Sequence, residues 1–314
     1  MIAPILAGMI LTFKKKYLWG MLLFTIAIGL QIQCNHIQIT YYTLIMAVVV
    51  GITYLVYSIK NKEFVHFAKG VGGLVVCAVL VLLSTSRYFM VNAEYVKQTM
   101  RGGSELTIRP NDIYPEENQS VESDGLDAEY ASEWSYGKAE TMTLLVPGFY
   151  GGSSDEPVDK NSAYYKLQKD EIAPLYWGNQ RFTSGPVYFG AIIVFLFLLG
   201  LFVVKGPERW WLLAATIIGI VMAWGSNLPW FNDLLRNYLP MYSKFRSPSM
   251  SLVIASVSAV GLAVLALRQV FSETDRKKYN ISLYISAGIT LIICLLVAVA
   301  GASVCNFSGA GDSA

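Results

Sequence analysis

Four clusters in this 314-residue sequence have the residue types for chemistry, and each stands at the edge of an apolar block. The first is Gln31-Ile-Gln33-Cys34-Asn35-His36-Ile-Gln38-Ile-Thr40-Tyr41-Tyr42. A tight hairpin needs one or two polar turn residues, yet Gln31, Gln33, Asn35, His36, Gln38 and Thr40 crowd together here. They suit either hydrogen bonds to a ligand or polar contacts between neighbouring helices. The second cluster holds Tyr88, Glu94, Tyr95 and Arg101-Gly102-Gly103-Ser104-Glu105. An arginine before two glycines lets a guanidinium fork onto an anion while backbone N–H groups approach it. Glu94 and Glu105 are candidate acids beside it. A plain helix carrying Glu94 and Lys97, capped by the glycines, fits the same residues. The third, Trp177-Gly178-Asn179-Gln180-Arg181-Phe182-Thr183-Ser184, could receive a sugar or a lipid head group. A belt tryptophan before a Gly-Pro helix start explains most of it more simply. The fourth is 225–249, GSNLPWFNDLLRNYLPMYSKFRSPS. Here Pro240 and Pro248 bracket a rigid loop bearing Lys244 and Arg246, with Arg236 just upstream. Paired cations of this kind call for an anion, either Asp233 or a phosphate.

The elements that must position these clusters are membrane helices. The chain is 54% hydrophobic and only 15% charged, against about 25% charged in an ordinary soluble domain. Its apolar residues form long blocks rather than alternating, as spans do in a bilayer. Blocks of about 20 residues fall near 17–33, 41–59, 70–86, 186–204, 210–226, 250–267 and 281–304. Ile2–Phe13 would cover only about 18 Å as a helix, so it reads as the end of a longer span whose beginning precedes Met1. Twelve cations lie in the short loops on one side, from Lys14–Lys16 through Arg276–Lys278, and three on the other: Arg236, Lys244 and Arg246. The positive-inside rule puts the twelve in the cytoplasm. Segments 34–40, 87–185, 227–249 and 305–314 then face outside.

The expected fold class is an all-α polytopic membrane protein with about seven transmembrane helices, a partial N-terminal helix and one mixed extracytoplasmic loop. Its parts are N-terminal transmembrane helices over 1–86, the extracytoplasmic loop over 87–185, C-terminal transmembrane helices over 186–304 and an extracytoplasmic tail over 305–314. The loop carries 16 acids and nine bases, mainly a solubility feature. Within it Thr141–Ser154 reads as a short apolar strand followed by Pro-Gly and Gly-Gly turns.

Several function classes fall away. A net charge of +2 is too balanced for nucleic-acid binding. Cys34, Cys77, Cys294 and Cys305 form no CxxC pair, and His36 alone makes no metal site. No nucleotide-binding, zinc-protease or nucleophile-elbow motif stands in a usable context. Span interiors free of Asp, Glu, Lys and Arg argue against a proton- or sodium-coupled carrier.

The phrases AGMILTFKKKYLWG (7–20), NHIQITYY (35–42), EYVKQTMRGGSEL (94–106), WGNQRFTSGPVYFGAI (177–192) and LPMYSKFRSPSM (239–250) resemble the bacterial YfhO family of membrane proteins. YfhO proteins are similar to GT-C glycosyltransferases, which take a sugar from a polyprenyl-phosphate carrier at the outer leaflet. The resemblance implies a multi-pass protein of the bacterial cytoplasmic (inner) membrane that meets the lipid bilayer, a polyprenyl-phosphate-linked sugar and a cell-envelope glycan acceptor. It carries phosphate and sugar contacts onto Arg101, Lys244, Arg246 and His36. The acidic loop that holds the family's catalytic base would precede Met1, and a further extracytoplasmic part would follow Ala314. No catalytic residue is therefore carried over, and whether this portion is an enzyme on its own stays open. Glu94, Glu105 and Asp233 are the candidate carboxylates that remain. A transfer of this type needs such a carboxylate to orient the acceptor hydroxyl and positive charge on the leaving phosphate. No cofactor is evident; a divalent metal would suit the chemistry, but no ligand cluster shows one. The alternative is a non-catalytic membrane protein that binds or moves envelope lipids or polymers.

Overall fold

The computed structural model describes residues 1–97, 99 and 126–304. Among these residues the helices are, in chain order, α1 (Ile2–Phe13), α2 (Tyr17–Gln33), α3 (Ile37–Lys60), α4 (Phe64–Ser84), α5 (Ser86–Lys97) and α6 (Ala128–Ser132). Then follow α7 (Ala163–Gln168), α8 (Ala191–Val203), α9 (Glu208–Ala223), α10 (Pro229–Tyr238), α11 (Leu252–Ser272) and α12 (Asn280–Val304). Among the described residues the strands are β1 (Glu156–Pro157) and β2 (Ile172–Ala173), antiparallel with Glu156 opposite Ala173.

The protein is an α-helical membrane protein. Ile37–Lys60, Phe64–Ser84, Pro248–Ser272 and Lys277–Val299 are long and apolar enough to cross a bilayer, and Ile2–Phe13, Tyr17–Gln33 and Ala191–Val203 are apolar but shorter. Large apolar side chains on these helices stay exposed, Val79, Leu83, Leu295 and Val299 among them, as the bilayer requires of a lipid-facing surface.

The chain forms two compact units, 1–132 with 230–246 and 133–229 with 247–314. In the first, α1 packs along α2 at backbone contact. A Cβ on Gly8 would lie 2.7 Å from the Phe24 nitrogen, and one on Gly20 2.7 Å from the Gly8 carbonyl oxygen. Small residues at such a crossing are what lets membrane helices gain van der Waals contact. Thr12, fully buried, returns its hydroxyl to the Gly8 carbonyl at 2.9 Å. At one end of this unit the α1–α2 and α3–α4 turns lie side by side. Lys15 pairs there with Glu63 at 2.7 Å, and His66 meets the Tyr17 hydroxyl and the Phe13 carbonyl.

In the second unit α11 packs on α8 and α9. Gly219 admits it closely: Ser251 donates to the Gly219 carbonyl at 2.8 Å, and a Cβ there would meet the Ala255 nitrogen at 2.7 Å. The segment from Glu133 to Gly190 caps this pair of helices. Tyr136, fully buried, donates its N–H to the Ala223 carbonyl at 2.7 Å and packs with Ala223 and Leu252.

Three expectations change. The apolar run after Glu140 is not a strand but a 3-10 turn over Ala139–Leu144. Among the described residues no neighbouring strand offers it a ladder, while the Glu140 carboxylate reaches back to the Gly137 N–H at 2.9 Å and winds the turn locally, as in a capping box. The helix expected from 186 begins at Ala191. The N–H groups of Phe189 and Gly190 are held by the Leu144 carbonyl at 3.0 and 3.2 Å, and Gly190 sits at φ +102°. Segment 225–249 is not loop throughout, since its first half winds into α10.

Candidate functional site

The polar residues of the α2–α3 hairpin are divided between two helix ends. Gln31 closes the last turn of α2 and donates to the Thr40 hydroxyl at 3.4 Å. Only Cys34, Asn35 and His36 form the turn, with Asn35 in the left-handed region at φ +51°. His36 is exposed and caps α3, its Nδ1 accepting from the Ile39 N–H at 3.3 Å. An N-terminal cap satisfies one of the donors a helix start leaves unpaired, so the imidazole has a structural task. Asn92 of α5 donates to the Asn35 side chain at 2.9 Å, and Glu94 lies exposed two residues further along.

The cationic loop is fastened to this same end of α3. Gln38 donates its amide to the Arg246 carbonyl at 2.7 Å and to the Tyr42 hydroxyl at 2.9 Å. Tyr41 donates to the Pro240 carbonyl at 2.8 Å, and its ring lies 5.1 Å from that of Phe245. Arg236 and Leu126 add a second fastening: the guanidinium donates to the Leu126 carbonyl at 2.8 Å, and the Leu126 N–H to the Ser243 carbonyl at 3.0 Å. Burial pushes the Tyr242 phenol up from its ordinary value, against the pull of Arg236, so it stays neutral in this site. Arg246 is exposed; its guanidinium donates to the Tyr130 hydroxyl at 2.6 Å and lies 5.7 Å from that ring's centre. Lys244 ends the 3-10 turn Tyr242–Lys244 and is half-buried. The structure thus brings together the Asn35–His36 turn, Gln38, Tyr41, Lys244 and Arg246 in one unit. Asp233 is exposed on α10. Arg101 and Glu105 lie outside the described residues.

A carboxylate the sequence reading passed over stands in the second unit. Glu140 is fully buried. It accepts from the Gly137 N–H at 2.9 Å, the Tyr176 hydroxyl at 2.9 Å and the Gln180 amide at 3.1 Å. Burial raises its pKa above the usual carboxylate value, and the three donors pull against that rise. Burial, then the neighbouring Glu140 charge, also pushes Tyr176 up. Gly178 is required at the turn because a Cβ would sit 2.3 Å from the Tyr176 hydroxyl. The rest of the Trp177–Arg181 turn is engaged within the unit. Trp177 stacks on Tyr150 at 4.1 Å, Asn179 donates to Asn227 at 3.1 Å, and the Arg181 Nη1 donates to both Glu133 carboxylate oxygens at 2.9 and 3.1 Å. A lone Glu just before an apolar run was the available signal for Glu140; among 16 acids in the loop it did not stand out.

Among the described residues no three of His, Cys, Asp or Glu gather as a metal site. Fold and site together define a helical membrane protein that fixes a short cationic loop to the N-terminal end of a membrane-length helix. Neither family models, curated proteins nor solved structures yield a match to the chain.

Proposed function

We propose that the chain is the membrane portion of a GT-C-like glycosyltransferase similar to the YfhO family, binding the phosphate of a polyprenyl-phosphate-linked sugar destined for a cell-envelope glycan. The observation that carries this reading is the anchoring of the Arg246 backbone to Gln38, at the head of a membrane-length helix, with the guanidinium exposed. A cation on a backbone so held can meet a lipid phosphate at the bilayer surface without the cost of ordering the loop at the moment of binding. Seven spans and the charge asymmetry between their short loops support an orientation in which this end and the 87–185 loop both face outside the cytoplasm. Arg246 and Lys244 would neutralise the leaving phosphate. Arg101, His36 and the carboxylates Glu94, Glu105 and Asp233 belong to the same reading as further contacts. No resident cofactor is part of it.

One observation favours the non-catalytic alternative, in which the protein binds or moves envelope lipids. The best-organised carboxylate, Glu140, is enclosed by its own unit and cannot touch an acceptor hydroxyl. The two readings separate in proteoliposomes given polyprenyl-phosphate sugar and glycan acceptor. Transfer supports the first, and lipid binding without transfer the second. Arg246→Ala and Lys244→Ala are each expected to weaken polyprenyl-phosphate binding about tenfold or more, the worth of one charge-assisted hydrogen bond. Unchanged binding in both variants overturns the phosphate assignment.

A further inference from the structure

The amphipathic helix α10 is oriented unlike a helix that packs its apolar face on its own protein. At about 100° per residue, Trp230, Leu234 and Tyr238 occupy one sector about 80° wide, at spacings i, i+4 and i+8. They are 66%, 46% and 81% exposed. The face turned to the protein carries Asn232 and Leu235, both buried, and Arg236, which is tied to the Leu126 carbonyl. Asn232 reaches the Ser132 hydroxyl at 3.5 Å. A third sector, with Asp233 and Asn237, is exposed and polar. One helix therefore shows three faces in order: protein, apolar and unpacked, polar and unpacked.

The level of α10 is set by its C-terminal connection. Pro240 is held by Tyr41 and Arg246 by Gln38, both within the first turns of α3. That helix is 24 residues long and apolar, about 36 Å, so its first turns coincide with the boundary of the hydrocarbon core. The chain enters its next membrane-length segment at Pro248. Met241, in the connection that follows α10, is a further exposed apolar side chain at 55%.

We propose that α10 is an in-plane interfacial helix whose Trp230–Leu234–Tyr238 stripe is embedded among lipid head groups and upper acyl chains, with Asp233 and Asn237 on the aqueous edge. Tryptophan and tyrosine are the side chains with an apolar body and a polar tip that this layer selects. The occupant is lipid, because the loop that follows the stripe is tied to the end of a membrane-length helix, at the depth where head groups begin. Anchored there, α10 keeps the 240–246 loop at head-group depth.

The test is site-specific photocrosslinking of the full chain in phosphatidylethanolamine–phosphatidylglycerol vesicles containing an alkyne-tagged phosphatidylethanolamine. p-Benzoylphenylalanine replaces Leu234 or Tyr238 on the apolar edge, and Asp233 or Asn237 on the polar edge. The expected result is severalfold more lipid adduct at 234 and 238 than at 233 and 237. A crosslinked dimer in place of lipid adduct, equal labelling of the two edges, or no lipid adduct anywhere overturns it. Tyr238 is the more exposed position, so its replacement decides the matter if the Leu234 variant does not fold.

Discussion

Removing the Glu140 carboxylate tests whether it organises the segment that caps α9 and α11. In Glu140→Ala three buried donors lose their acceptor: the Gly137 N–H, the Tyr176 hydroxyl and the Gln180 amide. At about 1 kcal/mol each, local opening becomes easier by about 3 kcal/mol, roughly a hundredfold. The appropriate reporters are amides that do not touch Glu140. Tyr136 N–H donates to the Ala223 carbonyl and Trp177 N–H to the Tyr150 carbonyl. Hydrogen-exchange protection factors at these two amides in detergent micelles should fall about a hundredfold. Glu140→Gln separates charge from shape. It keeps an acceptor for Tyr176 and Gln180 but turns an N–H toward the Gly137 N–H, so it should be the milder of the two. The pH dependence has a definite sign. The carboxyl's pKa is raised above 4.5 in the closed state and is ordinary once the segment opens, so between those values the closed state binds the extra proton. Wild-type protection therefore falls as pH rises through that window, relative to Glu140→Gln, which cannot titrate. The reasoning is refuted if protection of Tyr136 and Trp177 is unchanged in Glu140→Ala. It is refuted equally if the difference between wild type and Glu140→Gln stays constant across the window.

Two further outcomes follow from the packing. Gly20→Ala puts a Cβ 2.6 Å from the Thr12 nitrogen and 2.7 Å from the Gly8 carbonyl oxygen, whereas a Cβ on Gly72 meets nothing within 4 Å. Gly20→Ala should cost about 1–3 kcal/mol and lower the thermal midpoint in detergent; Gly72→Ala should leave that midpoint unchanged or raise it, and equal midpoints would show that the α1–α2 contact is not close. Gln38→Leu removes the donor that holds the Arg246 carbonyl while leaving the guanidinium in place. It should weaken polyprenyl-phosphate binding in the same direction as Arg246→Ala, and retention of full affinity would show that the loop needs no anchor.

What the sequence made legible follows the range over which each interaction acts. Helices α2 and α12 sit within a residue of their hydropathy blocks, because bilayer burial acts on every residue of the run. Helices α3 and α4 begin ahead of theirs, at Ile37 and Phe64, and α4 stops short of its block at Ser84. Hydropathy measures the apolar core, and a helix continues into water for as long as its own hydrogen bonds hold. The beginning of α10 carried a local signal, proline at its first position and an i, i+4 aromatic–aliphatic stripe, but the cations downstream drew the whole segment into a loop. Gln38 holding Arg246 spans 208 residues, a pairing that no periodicity encodes. The same is true of Glu140, whose partners Tyr176 and Gln180 lie 36 and 40 residues away. Cationic residues of the site could be named from charge balance alone. The neutral residues that aim them could not, since glutamine and tyrosine at a helix end have the same composition whether they grip a loop or face water.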